Sequence, residues 1–308
     1  MKLVIFGCGN IANRIAKSAL MVKEIDLVGF ASKNIDKAKE YAEKYGCREY
    51  GDYDHFLNSD VDAVYIATYN PSHYELIKMC LQHHKNVICE KPMLFSLKEN
   101  EEMFALAEEN NVLLMEALKS VFLPLNIRIR QMIKDEVLGK TKEIYASFMR
   151  NGSHSESHWI NDPKCGGALS DLGSYTIGTM NFLMDCEPEL NSLESDRTAE
   201  KAESSAYADL DYHGVLGKSS VSNRKDGDCT LIVTGEKGYL RADNFWKSGD
   251  AYYEIDGERH EIHEELISDF YYELKHFADL VDQGKKMSDV MDKRASDLIL
   301  KITQADIK

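Results

Sequence analysis

The stretch Lys2-Leu3-Val4-Ile5-Phe6-Gly7-Cys8-Gly9-Asn10-Ile11-Ala12 decides the fold. Its first half is an apolar run of strand length, and Asn10 to Val22 then sets Ile11, Ile15, Ala19 and Val22 at helical spacing. A second apolar run, Ile25 to Ala31, completes a βαβ unit. Between strand and helix stands Gly-x-Gly-x-x-Ala, the context that separates a dinucleotide fingerprint from a chance match. Gly7 permits the tight turn, Gly9 lets the backbone approach a pyrophosphate, and Ala12 lets helix and strand pack closely. The helix N-terminus, at Asn10 and Ile11, offers amide groups to the anion. A plain glycine turn with no ligand is the competing explanation.

Outward from this unit the alternation continues. It predicts a helix over Ile35 to Tyr45, a strand at Val61 to Ala67, a helix from Ser72 to Leu81 and a strand at Asn86 to Cys89. Ser96 with Glu99 three residues on forms a capping box before Met103, Phe104 and Ala107, and Val112 to Met115 gives a further strand. Strands alternating with helices imply parallel pairing by right-handed crossovers, hence an α/β, doubly wound sheet of Rossmann type. After about residue 118 the texture changes to longer polar strands, Glu143 to Arg150, Ser205 to Tyr212, Thr230 to Thr234 and Ala251 to Ile255, between Gly, Asp and Asn turns. Helical patterns run over Leu125 to Lys134, Asp171 to Met184, Ile267 to Gln283 and Asp289 to Ile307. The expected organisation is a dinucleotide-binding domain over 1–118 and an α+β substrate and oligomerisation domain over 119–308. The second has a mostly antiparallel open sheet, and its last helices are candidates to return to the first domain.

The 308 residues suit two domains, each with its own core. Hydrophobic residues at 44% and charged residues at 29% are the balance of an ordinary globular protein. A net charge of -15, with no run of Lys and Arg, opposes a nucleic-acid partner. Seven scattered cysteines without a C-x-x-C pair form no disulfide framework and fit reduced thiols in the cytoplasm. No signal sequence and no stretch of roughly 18 apolar residues is visible, so no membrane association is expected.

Cofactor choice is read at the end of the second strand, at Ala31-Ser32-Lys33-Asn34. A carboxylate there would accept from the ribose 2′-hydroxyl of NAD and repel a 2′-phosphate. A hydroxyl and an ammonium hold a phosphate, so Ser32 and Lys33 favour NADP, with NAD still possible. Ser32 as a helix cap and Lys33 as a solvated charge form the alternative.

Three further motifs follow: Ala67-Thr68-Tyr69-Asn70-Pro71-Ser72-His73, then Cys89-Glu90-Lys91-Pro92, then Gly166-Gly167-Ala168-Leu169-Ser170-Asp171-Leu172-Gly173-Ser174-Tyr175. With the fingerprint, they make the chain resemble the Gfo/Idh/MocA oxidoreductase family, whose members carry A-T-x-N-x-x-H, E-K-P and G-G-x-L-x-D-x-G followed by His or Tyr at these places. Four motifs in this order span most of the chain. Tyr175, the run Gly235 to Leu240 and Asn244-Phe245-Trp246 are similar to the branch of dihydrodiol dehydrogenases and glucose-fructose oxidoreductase. That resemblance implies hydride transfer between a nicotinamide and a carbinol or carbonyl carbon of a sugar, diol or related small molecule. It also implies a homodimer or higher homo-oligomer.

The residues carry their own physical reading. Thr68 to His73 and Glu90 to Pro92 lie just past the carboxyl ends of parallel strands, where doubly wound sheets bind ligands. Lys91 is the candidate catalytic cation, beside a substrate oxygen on which alkoxide charge develops. Thr68, Tyr69, Asn70 and His73 are candidates for the cofactor side, and a backbone-satisfied histidine is the alternative for His73. Glu90 contacts ribose, orients Lys91 or is surface charge. Spacing of four sets Asp171 and Tyr175 on one helix face, with Tyr175 as proton donor or acceptor if a cation such as Lys91 assists it. The alternatives are a core aromatic for Tyr175 and an acidic helix cap for Asp171. No metal is expected, because Lys91 takes the electrophilic role.

The chain departs from the family where Met115-Glu116-Ala117-Leu118 continues as Lys119-Ser120-Val121, in place of the usual aromatic and arginine, which puts substrate contacts in doubt. His154 and His158 are four apart but sit among loop-forming residues. A non-catalytic dinucleotide-sensing regulator on the same scaffold is the rival function.

Overall fold

The computed structural model describes residues 1–51, 56, 59–152 and 155–305. It divides into two compact units, Met1–Ala117 with Phe270–Ser296, and Leu118–Asp269 with Asp297–Lys308.

The first unit begins β1 (Lys2–Phe6), α1 (Asn10–Ala19), β2 (Asp26–Ala31), α2 (Ile35–Tyr45), β3 (Arg48–Tyr50) and β4 (Ala63–Ile66). It continues with α3 (His73–Gln82), β5 (Asn86–Glu90), α4 (Leu97–Glu109) and β6 (Leu114–Ala117). The strands form one parallel sheet in the order β3-β2-β1-β4-β5-β6, the doubly wound topology that the alternation predicts. β4 and β6 are buried at every position, as strands covered on both faces must be. Sequence reading did not pick out β3, an edge strand of three residues, Arg-Glu-Tyr, too short and polar to show a period. The start of α4 is capped as expected: Ser96 Oγ accepts from the Glu99 amide at 3.2 Å. Glu99 reaches back to the Phe95 amide, at 3.0 Å. Ahead of α3, the Asn70-Pro71-Ser72 segment is a 3₁₀ turn, with proline at its start where a missing N–H costs nothing.

The second unit opens with a 3₁₀ turn, Lys119–Phe122, then α5 (Pro124–Lys134), β7 (Thr141–Met149) and α6 (Ala168–Met184). Seven strands follow: β8 (Glu189–Ser195), β9 (Ser205–Tyr212), β10 (Val215–Ser222), β11 (Thr230–Gly235), β12 (Gly238–Asp243), β13 (Asp250–Ile255) and β14 (Glu258–His263). The sheet order is β14-β13-β12-β11-β7-β10-β9-β8. Only β7 and β10 pair in parallel, so the expected mostly antiparallel sheet is present. α6 lies against β7, β9 and β10.

Two helices close the chain, α7 (Tyr271–Asp282) and α8 (Lys293–Thr303). α7 belongs to the first unit, where it meets α1. No helix among the described residues is long and apolar enough to cross a membrane. All seven cysteines are unbridged. Ser153 and His154 lie outside the described residues, as do residues 306–308.

Candidate active site

In the first unit the fingerprint turn is built as its residues require. Gly7 has φ +105°, and a Cβ there would sit 2.4 Å from the Ala67 carbonyl oxygen. Only glycine meets both conditions. Its amide donates to the Ala31 carbonyl at 2.9 Å, tying the turn to the end of β2. Above Gly9 the space is open, with nothing within 4 Å of an added Cβ, and no side chain caps the first turn of α1 at Asn10 and Ile11. An open cradle beside uncapped amides fits a pyrophosphate. Burial pushes the Cys8 thiol up to about 11, and its hydrogen bond with Ser32 brings the end of β2 to the same turn.

Ser32 is half-buried and Lys33 exposed. The cap of α2 is Asn34, whose side chain accepts from the Lys37 amide at 3.2 Å, while Ser32 Oγ accepts from the Asn34 amide at 3.2 Å. The capping role is therefore filled without Ser32.

Past β4 and β5 the motif residues converge on a single loop. Asn70 Nδ2 donates to the carbonyls of Lys91, at 3.2 Å, and Pro92, at 3.3 Å. His73 is fully buried, with Nδ1 3.2 Å from the Pro92 carbonyl and Nε2 3.4 Å from that of Thr68. Burial lowers its pKa to about 4, so the ring is neutral near pH 7. From the opposite side Glu116 Oε1 accepts from the Met93 amide at 3.1 Å, and its other oxygen accepts from the Ser296 hydroxyl at 2.5 Å. Burial pushes the Glu116 carboxyl up, while the hydrogen bonds and the Lys91 charge pull it down. Sequence reading did not name Glu116 as a site residue, although a carboxylate inside the wholly buried strand Leu-Met-Glu-Ala is a signal in itself. The Tyr65 hydroxyl is 2.9 Å from Glu90 Oε1 and 3.0 Å from Glu273 Oε1, linking Glu90 to α7. Thr68 Oγ1 lies 2.9 Å from Ser72 Oγ, and Tyr69 is half exposed.

In the second unit α6 starts three residues before Asp171, leaving that carboxylate in the first turn, where the helix field favours it. Gly167 has φ +121° and touches Glu203, which is buried; Glu203 Oε1 accepts from the Leu169 amide at 2.9 Å. Arg197 pairs with Glu203 and donates to the carbonyls of Pro163 and Gly166, both at 2.7 Å. This buried ion pair fixes the start of the helix, and neither residue was singled out from sequence. One turn after Asp171, Tyr175 is 9% exposed and lies 5.6 Å from Phe148 and 5.8 Å from Trp246 between ring centres. His158 caps a 3₁₀ turn, its Nδ1 accepting from the Ile160 amide at 3.3 Å.

A family model described as "Oxidoreductase family, NAD-binding Rossmann fold" matches residues 1–118, and the GFO/IDH/MocA C-terminal domain matches residues 127–241. The chain belongs to the GFO/IDH/MocA oxidoreductase family. Family relatives include trans-1,2-dihydrobenzene-1,2-diol dehydrogenase of Mus musculus, 28% identical over 317 residues and covering 97% of this chain and 94% of the relative. The enzyme of the same name from Homo sapiens is 28% identical over 295 residues, covering 91% and 87%. Among solved structures, KijD10, a 3-ketoreductase from Actinomadura kijaniata in complex with NADP and TDP-benzene, superposes with a TM-score of 0.89 at 23% identity, over 99% of this chain and 96% of that one. Aldose-aldose oxidoreductase from Caulobacter crescentus gives 0.90 at 22% identity, with the same coverage. These two share the fold.

Proposed function

We propose that the chain is an NADP-dependent oxidoreductase whose nicotinamide, when bound, supplies or accepts the hydride in a carbinol–carbonyl interconversion on a sugar, vicinal diol or related small molecule. The observation that carries this is the clamp on Lys91-Pro92-Met93: Asn70 and His73 hold its carbonyls, and buried Glu116 holds its amide. A clamp of this kind uses polar side chains to fix the backbone that carries Lys91, the support that an oxyanion-stabilising cation requires. The names of the two relatives given above, both dehydrogenases of a vicinal diol, support the same reading.

Lys91 donates to the substrate oxygen and stabilises negative charge there. Tyr175 exchanges a proton with the substrate hydroxyl, a role for which a phenol, with its ordinary pKa near 10, needs the help of a cation. Asp171, one helical turn away, orients a second substrate hydroxyl. Gly7, Gly9, Asn10 and Ile11 hold the pyrophosphate, and Ser32 and Lys33 hold the 2′-phosphate. Thr68, Tyr69 and Glu90 line the cofactor's ribose and nicotinamide side, while Asn70 and His73 serve it through the Lys91 loop. We place the protein in the cytoplasm, in keeping with its seven unbridged cysteines. We also propose a homo-oligomer formed on the sheet face bearing Tyr207 and Leu216, both exposed; a monomeric mass by light scattering at micromolar concentration would refute that.

The direct test titrates the purified protein with NADPH and NADH, then screens diols, aldoses and dicarbonyls for change in nicotinamide absorbance. Turnover with NADP on at least one compound is expected. Tight nucleotide binding with no turnover of any would replace the enzyme by a dinucleotide sensor.

A further inference from the structure

Tyr65 and Glu90 stand on neighbouring strands of the first unit. β4 and β5 pair Tyr65 with Ile88, so the side chains of Tyr65, Ile88 and Glu90 share one face of the sheet. Glu273, in the first turn of α7, meets that face. The Tyr65 hydroxyl lies 2.9 Å from Glu90 Oε1 and 3.0 Å from Glu273 Oε1; Tyr65 and Glu273 are both 0% exposed, whereas Glu90 is half-buried. Burial, with the two carboxyls adding to it, pushes the Tyr65 phenol well above its ordinary range, so it keeps its hydrogen. One hydroxyl hydrogen serves one carboxylate. With both carboxyls ionised, the other contact would set two oxygens together with no hydrogen between them, and two anions would face each other across a buried phenol. A second proton satisfies both contacts: a carboxylic acid donates to the Tyr65 oxygen, and the phenol donates onward to the remaining carboxylate. Enclosure favours the neutral form on Glu273, and the ammonium of Lys91, next in the chain to Glu90, favours the charge on Glu90.

Resting on the oxidoreductase reading and deepening it, we infer that Glu273 and Tyr65 are positioning residues in a directed hydrogen-bonded chain: Glu273, a neutral acid, donates to Tyr65, and Tyr65 donates to Glu90, aiming its carboxylate as the acceptor for a cofactor ribose hydroxyl. The donor from Glu273 leaves the phenol hydrogen a single destination, and each bond of such a chain polarises and strengthens the next. Tyr65 holds one oxygen of Glu90 and so fixes the carboxylate at the carboxyl end of β5, where doubly wound sheets meet their ligands. The chain stores a proton and delivers none, because its far end on Glu273 is closed to solvent. It is a clamp and not a relay.

The test has two arms on the full chain. Carbon-13 NMR of protein labelled at the glutamate carboxyl carbon, with signals assigned through Glu273→Gln and Glu90→Gln, should show Glu273 at the carboxylic-acid position and Glu90 at the carboxylate position at pH 7. Two carboxylates, or the proton on Glu90 and the charge on Glu273, overturns the inference. In the second arm, Tyr65→Phe should weaken NADPH binding by about tenfold or more, the size of a lost hydrogen bond to a charged group. Glu273→Gln, whose amide also donates to the phenol, should stay within about threefold of the unmodified chain. A Tyr65→Phe chain that melts at a lower temperature yet keeps its NADPH affinity has lost a structural contact only and overturns the positioning role, as does a tenfold loss in Glu273→Gln. If Tyr65→Phe does not fold, Tyr65→Phe combined with Glu273→Met, which leaves no buried acid beside an apolar ring, carries the same comparison. If the unmodified chain binds neither NADPH nor NADH, the oxidoreductase reading has failed and the positioning role with it, while the carboxyl signals still decide where the proton sits.

Discussion

At the scale of single residues, the end of β2 and the Lys91 loop carry most of the chemistry. Replacing Ser32 with Asp and Lys33 with Ile puts a carboxylate where a 2′-phosphate is proposed to sit. The ratio of NADPH to NADH affinity should fall by at least about tenfold, one charge-assisted contact having been lost and a repulsion gained. An unchanged ratio by fluorescence titration would discard that site. His73 makes a second prediction, on stability. Its pKa is about 4 in the folded chain against an ordinary 6.5, so between those values the unfolded chain holds the extra proton. Its contribution is complete above pH 6.5 and declines as pH falls toward 4, by a total on the order of 3 kcal/mol. The raised Glu116 carboxyl acts with the opposite sign, gaining stability as it is protonated, and partly offsets this. Urea unfolding at pH 7 and pH 5 should show the unmodified chain losing more stability on acidification than His73→Gln, and equal losses would refute the assignment. The motif residues themselves were legible in the sequence. Their partners were less so: Glu116 left the one signal of a carboxylate inside an apolar strand, and Arg197 acquires meaning only when distant segments meet.

At the scale of elements, α6 depends on its first turn. Gly167, Glu203 and Arg197 interlock there, and the ion pair is almost wholly buried, at 7% exposure for Arg197 and 0% for Glu203. Arg197→Met leaves a carboxylate buried without its cation and should destabilise by about 3 kcal/mol or more. Adding Glu203→Gln, which still accepts from the Leu169 amide, should recover a good part of that loss in thermal melts. No recovery would mean that the guanidinium acts through Pro163 and Gly166 alone. The helices of the first unit were legible from period and, for α4, from the Ser96 cap, whereas the cap of α2 is Asn34 and not the Ser32 that the sequence offered as an alternative. The second sheet was half legible. β9 alternates buried and outward residues, whereas β8 is exposed along nearly its whole length and offers no buried face to read. The hairpin joining β13 to β14 did leave a signal, Asp256-Gly257 with both φ values positive, the turn chemistry that a two-residue connection demands.

At the scale of the whole molecule, the four motifs identify the family while coming from two units, with Lys91 in the first and Tyr175 in the second. The proposed chemistry gives Lys91 the charge that develops on the substrate oxygen, and the most direct measurement of that claim separates catalysis from cofactor binding at Lys91. Lys91→Ala should lower kcat/KM for the best substrate by about 10²- to 10³-fold, the size of a lost oxyanion donor, while the NADPH dissociation constant stays within about threefold. Parallel losses in turnover and NADPH affinity, or an unchanged kcat/KM, would contradict the account.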